Sequence, residues 1–408
     1  MSPFLFTCIV ISVTLLIGLA GAFCFAIRAR NMQYWLPAYL FSKKRDPQLS
    51  FSPEQPRHIF IAVCDHFEPE WGNPTKSEAI ARVDRWCEEY PARFSRFSDS
   101  RGQVPQHTFF YPQDQYAPEY LDRLASLCKQ GYGDVEIHLH HDHDTADGLR
   151  QKMNEFRQIL FDRHGLLRKD PQTGEILYSF IHGNWALCNS RPDGRWCGVD
   201  NEIEILLETG CYADLTMPSA PSNTQTEIIN SIYYAKNSPG ERKSQNQGVH
   251  TQVGHSPDSD SLLMIQGPLR LDWSQRKWGL VPRIENSDLH AGRPGTINRL
   301  HHWLAADVHV TGRPDWTFIK LHTHGAKPGN IDTLLGPETE AFHTELRAEA
   351  ERHPEWKYYY VTAWETAALI HQAEQGVTIP DFDAIHKQST QASEPLINTE
   401  TPAVSSKK

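Results

Sequence analysis

The segment HIFIAVCDHFEP (residues 58–69) passes from an apolar strand directly into Asp65 and His66. Further apolar segments of strand length follow it: HTFFY (107–111), DVEIHLH (134–140), ILYSFIH (176–182), YADLTM (212–217), SLLMIQ (261–266), TFIKLH (317–322) and KYYYVT (357–362). Stretches of helical spacing separate many of them, for example SEAIARVDRWCEEYPARF (77–94). Strand–helix alternation is typical of a parallel sheet, and seven or eight units predict a closed or partly closed β/α barrel over residues 58–376.

Histidine and acidic side chains follow four of these strands. They are Asp65 and His66, then His138, His140, His141 and His143, then His182 with Asn184 and Trp185, and finally His322 and His324. In a parallel barrel the carboxyl ends of the strands hold the functional groups. His138 and His140 are two residues apart on one strand, so their side chains share a face. Together with the carboxylate of Asp65 they predict a divalent-metal site with open positions.

Two less specific interpretations stay open at this point. The tract HLHHDHD (138–144) is also compatible with a solvated histidine-rich segment that binds metal weakly. His322 and His324 are also compatible with one capping and one surface histidine.

The order of these motifs resembles that of the NodB-homology polysaccharide deacetylases. The matching features are a strand ending in Asp, then E-I-x-L-H-x-D, F-x-x-G-N-W, a Gly-Cys-x-x-D segment ending in Pro, and K-L-H. The resemblance covers about residues 58–370. It implies a distorted (β/α)7–8 barrel that carries a metal-dependent N-deacetylase.

The resemblance also implies roles for individual residues. Asp65 matches a general base and metal ligand, and His66 stands where the family has a second acidic ligand. His138 and His140 match the metal-binding histidines, with His143 as the alternate.

The remaining motifs imply the acid and the substrate contacts. His322 matches the general acid. The expected substrate-binding residues are His182, Asn184, Trp185, Asp214 and His324. Among these, His182 occupies the neighbourhood where the family has an arginine, and Trp185 is expected to form a wall of the site.

The first residues predict a membrane anchor. Residues 4–27, FLFTCIVISVTLLIGLAGAFCFAI, contain no charge. At ~1.5 Å per residue they are long enough to span a hydrocarbon core of ~30 Å. The segment MSP carries no Lys or Arg and no clean A-x-A site follows, which distinguishes the run from a cleaved signal peptide. Positive charge follows at Arg28, Arg30, Lys43, Lys44 and Arg45, and the positive-inside rule places the soluble domain on the cytoplasmic side.

The composition of the whole chain excludes several other classes of protein. It has 408 residues, a formal net charge of −10 and 21 histidines. The acidic balance and the lack of a Lys/Arg-rich run exclude a nucleic-acid binder held by phosphate contacts. The eight cysteines include no C-x-x-C spacing, so no zinc ribbon is predicted. Cys188 and Cys197 are compatible with a bridge across a loop or with unpaired buried thiols.

These observations predict four regions and one function. The regions are a single-pass transmembrane anchor (1–30), a juxtamembrane linker (31–57), the barrel (58–376) and a disordered tail (377–408). We expect a membrane-anchored, metal-dependent N- or O-deacetylase acting on a polysaccharide or a lipid-linked sugar. Its partners are a carbohydrate substrate and, through residues 4–27, the lipid bilayer. The sequence does not say whether the chain has protein partners.

The predicted metal is Zn²⁺, with Co²⁺, Ni²⁺ or Mn²⁺ as alternatives. Two rival functions stay open. One is a glycosidase on the same barrel that uses Asp65 and Asp214, with Glu68 nearby. The other is a non-catalytic carbohydrate-binding protein that kept the fold.

Overall fold

The computed structural model of this chain describes residues 2–42, 50–277 and 279–391. It begins with helix α1 (Pro3–Ala29), whose apolar side chains are exposed along most of its length. In the described part of the chain, α1 is the one helix long and apolar enough to cross a membrane, a property that signal sequences share. The predicted flanking charges Lys43, Lys44 and Arg45 lie outside the described residues.

The other helices and strands alternate up to strand β3 (Gly133–Leu139), and seven consecutive strands, β6–β12 (211–289), interrupt the alternation later in the chain. In order they are α2 (Leu36–Phe41), β1 (Arg57–His66), α3 (Lys76–Phe94), β2 (His107–Pro112), α4 (Pro118–Lys129), β3 (Gly133–Leu139), α5 (Ala146–His164), β4 (Arg168–Lys169), β5 (Ile176–His182), α6 (Glu202–Glu208), β6 (Cys211–Asp214), β7 (Ile232–Ala235), β8 (Val249–His250), β9 (Leu262–Ile265), β10 (Arg270–Lys277), β11 (Val281–Glu285), β12 (Asp288–Leu289), α7 (Ile297–Ala306), β13 (Trp316–Thr323), α8 (Asn330–Leu334), α9 (Pro337–Arg352), β14 (Trp356–Tyr360), α10 (Ala363–Glu374) and α11 (Phe382–Gln391). All eight predicted strands are confirmed, with ends that differ by a few residues.

A mostly parallel sheet forms the centre of this α/β fold. Its strand order is β12-β13-β1-β2-β3-β5-β6-β9-β7-β8, with β14 also paired to β1 and β4 paired to β5. Antiparallel pairing is limited to β4–β5, β7–β8 and β7–β9 in this sheet and to the separate β10–β11 ribbon. Among the described residues no strand ladder joins β8 to β12, so the pairings themselves do not close a barrel.

Strand β1 is buried on both faces, and its alternating side chains enter two different parts of the core. Ile59 and Ile61 pack with Trp86 and other residues of the helix α3 side. Phe60 and Cys64 pack on the opposite face, together with Phe318 of β13. This alternation also decides where the two polar residues at the end of β1 point, because successive side chains of a strand face opposite ways.

The segment predicted as a juxtamembrane linker contacts the folded domain. Trp35 is fully buried and packs with Ala220, Leu269 and Leu271. The side-chain amide of Asn31 donates a hydrogen bond to the carbonyl oxygen of Pro221 (2.9 Å). The short helix α2 follows directly. Residues 31–39 are therefore docked on the domain, because Trp35 and the apolar side chains around it find a complementary apolar surface.

The tail predicted from residue 377 includes a helix. Over Phe382–Gln391 the chain forms α11, and Ile385 in this helix is buried. The guanidinium of Arg101 lies 3.8 Å from the centroid of the Phe382 ring. These contacts extend the ordered region past residue 376, and residues 392–408 lie outside the described residues.

Removing the docked segment should destabilise the domain. We expect a chain that begins at Ser50 to unfold at a lower temperature than a chain that begins at Asn31, because losing Trp35 uncovers Leu269 and Leu271. Loss of a buried tryptophan side chain typically costs about 3–5 kcal/mol. Thermal unfolding of the two purified chains measures the difference, and equal midpoints would contradict the docking.

Candidate metal centre

The parallel arrangement of β1, β3, β5 and β13 brings their carboxyl ends to one edge of the sheet. Each of these strands has a histidine in its last two residues: His66, His138, His182 and His322. The loops that follow add Glu68, His140 and His324. The structure therefore gathers most of the predicted histidines, but it distributes them over two separate clusters.

Glu68 lies at the centre of the first cluster and is buried. Its Oε1 atom is 3.0 Å from His140 Nε2 and 3.7 Å from His138 Nε2. Its Oε2 atom accepts a hydrogen bond from His324 Nδ1 at 2.9 Å. We call Glu68, His138 and His140 the Glu68 cluster; one donor atom from each lies within 4.8 Å of the others.

The two imidazoles of the cluster are oriented through their Nδ1 atoms. His138 Nδ1 donates to the carbonyl oxygen of Ile181 at 2.7 Å, which leaves Nε2 as the unprotonated atom. That Nε2 is buried and has no hydrogen-bond partner among the described residues. His140 Nδ1 contacts the carboxylate of Asp114 at 3.1 Å. Histidines that bind metals are usually held in this way by a carbonyl or a carboxylate on the far nitrogen.

The electrostatics of the cluster suit a cation. Burial raises the pKa of Glu68, but its contacts with His138, His140 and His324 together hold that pKa well below its usual range. Burial lowers the pKa of His140, whereas its bonds to Asp114 and Glu68 raise it, with a net value of about 9. His140 is then protonated at neutral pH, so a metal ion that binds there displaces this proton, and its affinity increases as the pH rises toward 9.

Aromatic rings and His66 border the cluster. The His66 ring lies 4.8 Å from that of His138 and 4.7 Å from that of His324, measured between centroids. Burial and the neighbouring His324 and His138 lower the pKa of His66 well below its usual value. The half-buried Trp185 lies 6.3 Å from His66, and Trp71 lies 5.3 Å from His324. Trp185 and Trp71 therefore both border this group of histidines.

The structure does not bring Asp65 to the cluster as a metal ligand. Its Oδ1 atom accepts a hydrogen bond from the backbone N–H of Gly325 at 2.6 Å, and its Oδ2 atom is 3.5 Å from His107 Nδ1. Asp65 and His66 are adjacent in β1, so their side chains leave opposite faces. His66 turns toward His138, and Asp65 turns toward the α3 side of the sheet.

Two other predicted residues also differ from expectation. His143 is solvent-exposed, with 74% of its side chain accessible, and its Nε2 atom lies 3.9 Å from Asp142 Oδ1. It lies outside the Glu68 cluster. His322 is buried, lies 6.3 Å from the His66 ring and contacts Ser287 Oγ at 3.4 Å. Burial and the nearby Lys320 lower the pKa of His322 well below its usual value, so its ring is uncharged near neutral pH.

The residues predicted to bind substrate lie in different places, some beside the Glu68 cluster and others away from it. Trp185 and His324 border the Glu68 cluster, and Asn184 is exposed beside Trp185. His182 instead joins a second, buried group with His141. Asp214 is buried and accepts two hydrogen bonds from Thr216, at 3.0 Å from its backbone N–H and 2.7 Å from its hydroxyl.

Glu68 was missed as a site residue in the leading sequence prediction. It follows the strand by two residues, and strand alternation does not predict side-chain direction in a loop. The sequence does contain one indication of this role, because Glu68 is an acidic residue two positions after His66.

Comparisons with known proteins show a distant likeness to solved structures. No family model matches this chain, and no curated protein matches it by sequence. Among solved structures, one titled "Crystal structure of putative polysaccharide deacetylase from Mycobacterium smegmatis" is similar, with a TM-score of 0.41 and 12% sequence identity. The similarity covers 81% of this chain and 96% of that chain. This similarity does not define the chemistry of the chain.

Substitutions of Glu68 and His143 should distinguish a metal ligand from a nearby residue that does not bind the metal. We expect Glu68→Gln to release the metal held by the Glu68 cluster, because a neutral amide replaces the one carboxylate among the ligands. His143→Ala is the matched control and should retain the metal, because its side chain is exposed. Zinc per chain, measured after desalting, reports the outcome. Equal losses in both variants, or none in either, would contradict the assignment.

Proposed function

We propose that this chain is a metal-dependent hydrolase that removes N- or O-acyl groups from carbohydrates. Its proposed fold is a distorted β/α barrel. The observation that carries the proposal is the Glu68 cluster, a buried carboxylate between two oriented imidazoles at the carboxyl edge of parallel strands. The order of the sequence motifs supports deacylation as the reaction. The two tryptophans beside the cluster support a sugar ring as substrate.

The metal ligands in this proposal are His138 Nε2, His140 Nε2 and Glu68 Oε1, and the ion is zinc. Two imidazoles and one carboxylate are a donor set that catalytic zinc sites use. The orphaned His138 Nε2 fits such an ion, since a buried acceptor without a partner is costly. When bound, the ion supplies Lewis-acid polarisation of an acyl carbonyl and lowers the pKa of a ligated water.

We assign the acid–base role to His324 in place of His322. Its Nδ1 is held by Glu68 Oε2, which orients the ring and leaves Nε2 as the atom that exchanges a proton. A fifth of the side chain is solvent-accessible, so the ring can reach a substrate. His324 Nε2 accepts a proton from the attacking water and then donates it to the leaving amine, a transfer that general acid–base catalysis assists by about 10²–10⁴-fold.

Asp65 acts as a positioning residue in this account. It fixes the backbone of Gly325, the residue next to His324. A Cβ atom at position 325 would collide with the Asp65 carboxylate, so the close approach of this loop to β1 requires glycine. The contact holds His324 at the edge where Glu68 binds it.

Trp185 supplies a further substrate contact. Its indole N–H is buried and has no acceptor in the described part of the chain. An unpaired buried donor beside the cluster supports a hydrogen bond to a substrate oxygen. The expected glycosidase alternative is less favoured, because Asp65 and Asp214 are both engaged with groups of the protein itself.

We propose that the chain is attached to the membrane and that its folded domain lies in the cytoplasm. Helix α1 anchors the chain in the bilayer, and the positive charges that follow it support a cytoplasmic domain. The substrate would then be a sugar presented at the inner face of the membrane.

A chelation assay tests the proposed function. We expect the full chain in detergent to release acetate from N-acetylated oligosaccharides, to lose this activity after treatment with a chelator, and to regain it with zinc. Acetate and reducing ends are measured in the same reactions. Cleavage of glycosidic bonds without acetate release, or activity that a chelator leaves intact, would contradict the proposal.

The two histidines after β13 give a sharper test of the acid. We expect His324→Ala to lower kcat for an N-acetyl substrate by about 10²–10⁴-fold with bound zinc unchanged. The loss should be smaller for an activated ester, whose leaving group needs no proton. His322→Ala, the matched comparison, should cost less activity and treat both substrates alike. The reverse pattern would return the acid role to His322.

A further inference from the structure

The second group of titratable side chains lies outside the proposed active site and is buried. It consists of His141, His182, Cys197 and Glu202, which we call the tetrad. Ligand atoms from all four residues lie within 4.8 Å of one another. His141 is adjacent in sequence to His140 of the Glu68 cluster, but the two rings belong to different groups.

The hydrogen bonds of the two imidazoles determine which ring nitrogens carry protons. His141 Nδ1 is bound to the carboxylate of Asp144 at 3.0 Å, and His182 Nδ1 is bound to the carbonyl oxygen of Gly183. Both oxygens accept, so both Nδ1 atoms carry protons. In neutral rings both Nε2 atoms then present lone pairs, yet these atoms are only 2.8 Å apart. Something positive has to lie between them.

Glu202 completes this arrangement. Its Oε1 atom is 3.3 Å from His141 Nε2 and 3.4 Å from His182 Nε2. That oxygen is buried and has no hydrogen-bond partner among the described residues. Ligands about 2.0–2.1 Å from a tetrahedral zinc ion are about 3.3 Å apart, so these separations already match a shared ion. The two Nε2 atoms need to separate by about 0.5 Å to bind zinc at ordinary bond lengths.

Cys197 supplies the fourth donor. Its Sγ atom is 3.4 Å from Glu202 Oε2. The backbone N–H groups of Asn189 and Val199 point at the same sulfur, at 3.3 and 3.4 Å. Hydrogen bonds from the surroundings to a ligand atom are a regular feature of metal sites. A thiolate and a carboxylate together would neutralise a divalent ion, which a buried site requires.

We propose that the tetrad is a second metal site and that it binds a structural zinc ion. Two imidazoles, a thiolate and a carboxylate give four protein ligands, and such closed tetrahedral sites are structural. Cys197 and Glu202 are fully buried and the His141 side chain is 1% exposed, so the site leaves no position for a substrate.

The site would fix the loop that carries the active-site wall. Trp185 lies between His182 and Cys197 in the chain, and Cys197 O accepts a hydrogen bond from Asp144 N at 2.9 Å. Gly198, with φ of +102°, lies so close to the backbone of residues 143 and 144 that any side chain would collide. A metal here would tie the 183–201 loop to the ends of β3 and β5.

Cobalt substitution tests the second site separately from the catalytic one, because the Glu68 cluster contains no cysteine. The full chain in detergent is stripped of metal and reloaded with Co²⁺. We expect a thiolate-to-cobalt charge-transfer absorption in the wild type and in His138→Ala. The absorption should disappear in Cys197→Ser and persist in Cys211→Ser, which changes a buried cysteine outside both clusters. Absence of the band from the cobalt-loaded wild type would overturn the proposal and leave a proton shared within the tetrad.

Zinc stoichiometry gives the second measurement. We expect two equivalents in the wild type, one in Cys197→Ser and one in His138→Ala. Asp144→Asn should weaken zinc binding at the tetrad by about 10–100-fold, the usual effect of removing the partner of a ligating histidine. If Cys197→Ser fails to fold, the cobalt spectra of the wild type and His138→Ala still decide. A Cys197→Ser protein that binds as much zinc as the wild type would contradict the site.

Discussion

A buried carboxylate among imidazoles is the interaction on which this edge of the molecule depends. Glu68 is removed from water, and an uncompensated charge at such a position is strongly destabilising. His140 and His324 bind its two oxygens, and His138 Nε2 lies 3.7 Å from Oε1. These histidines come from the ends of β3 and β13, so Glu68 joins strands that are far apart in the sequence.

The same principle applies at a second buried carboxylate, that of Glu202. Consecutive residues in an extended segment point in opposite directions, so His140 turns to Glu68 and His141 turns to Glu202. The histidine-rich tract is thus neither a solvated surface segment nor a single ligand set. It supplies Glu68 with two imidazoles, His138 and His140, and Glu202 with one, His141. The exposed His143 belongs to neither group.

Sequence patterns predicted the parts of this structure that follow simple periodicity. Apolar runs located the buried parallel strands, and the two-residue spacing of His138 and His140 placed both beside one carboxylate. The β10–β11 ribbon was missed because most of β10 is exposed and polar. Asp65 was assigned to the metal because it ends an apolar strand and matches an acidic motif position of the resembled family, but its side chain leaves β1 on the face opposite His66. Glu68, Cys197 and Glu202 lie in loops or at a helix start, where no period predicts direction, and Trp35 packs through a tertiary contact that no local pattern indicates.

The central claim is that Glu68, and not Asp65, provides the carboxylate ligand of a catalytic metal. A crystal structure of the zinc-loaded chain, with anomalous scattering measured at the zinc edge, tests it most directly. The account predicts an anomalous peak about 2.0–2.2 Å from His138 Nε2, His140 Nε2 and a Glu68 oxygen. A zinc ion bound by Asp65 with Glu68 outside its coordination sphere, or no peak at this cluster in saturating zinc, would contradict it.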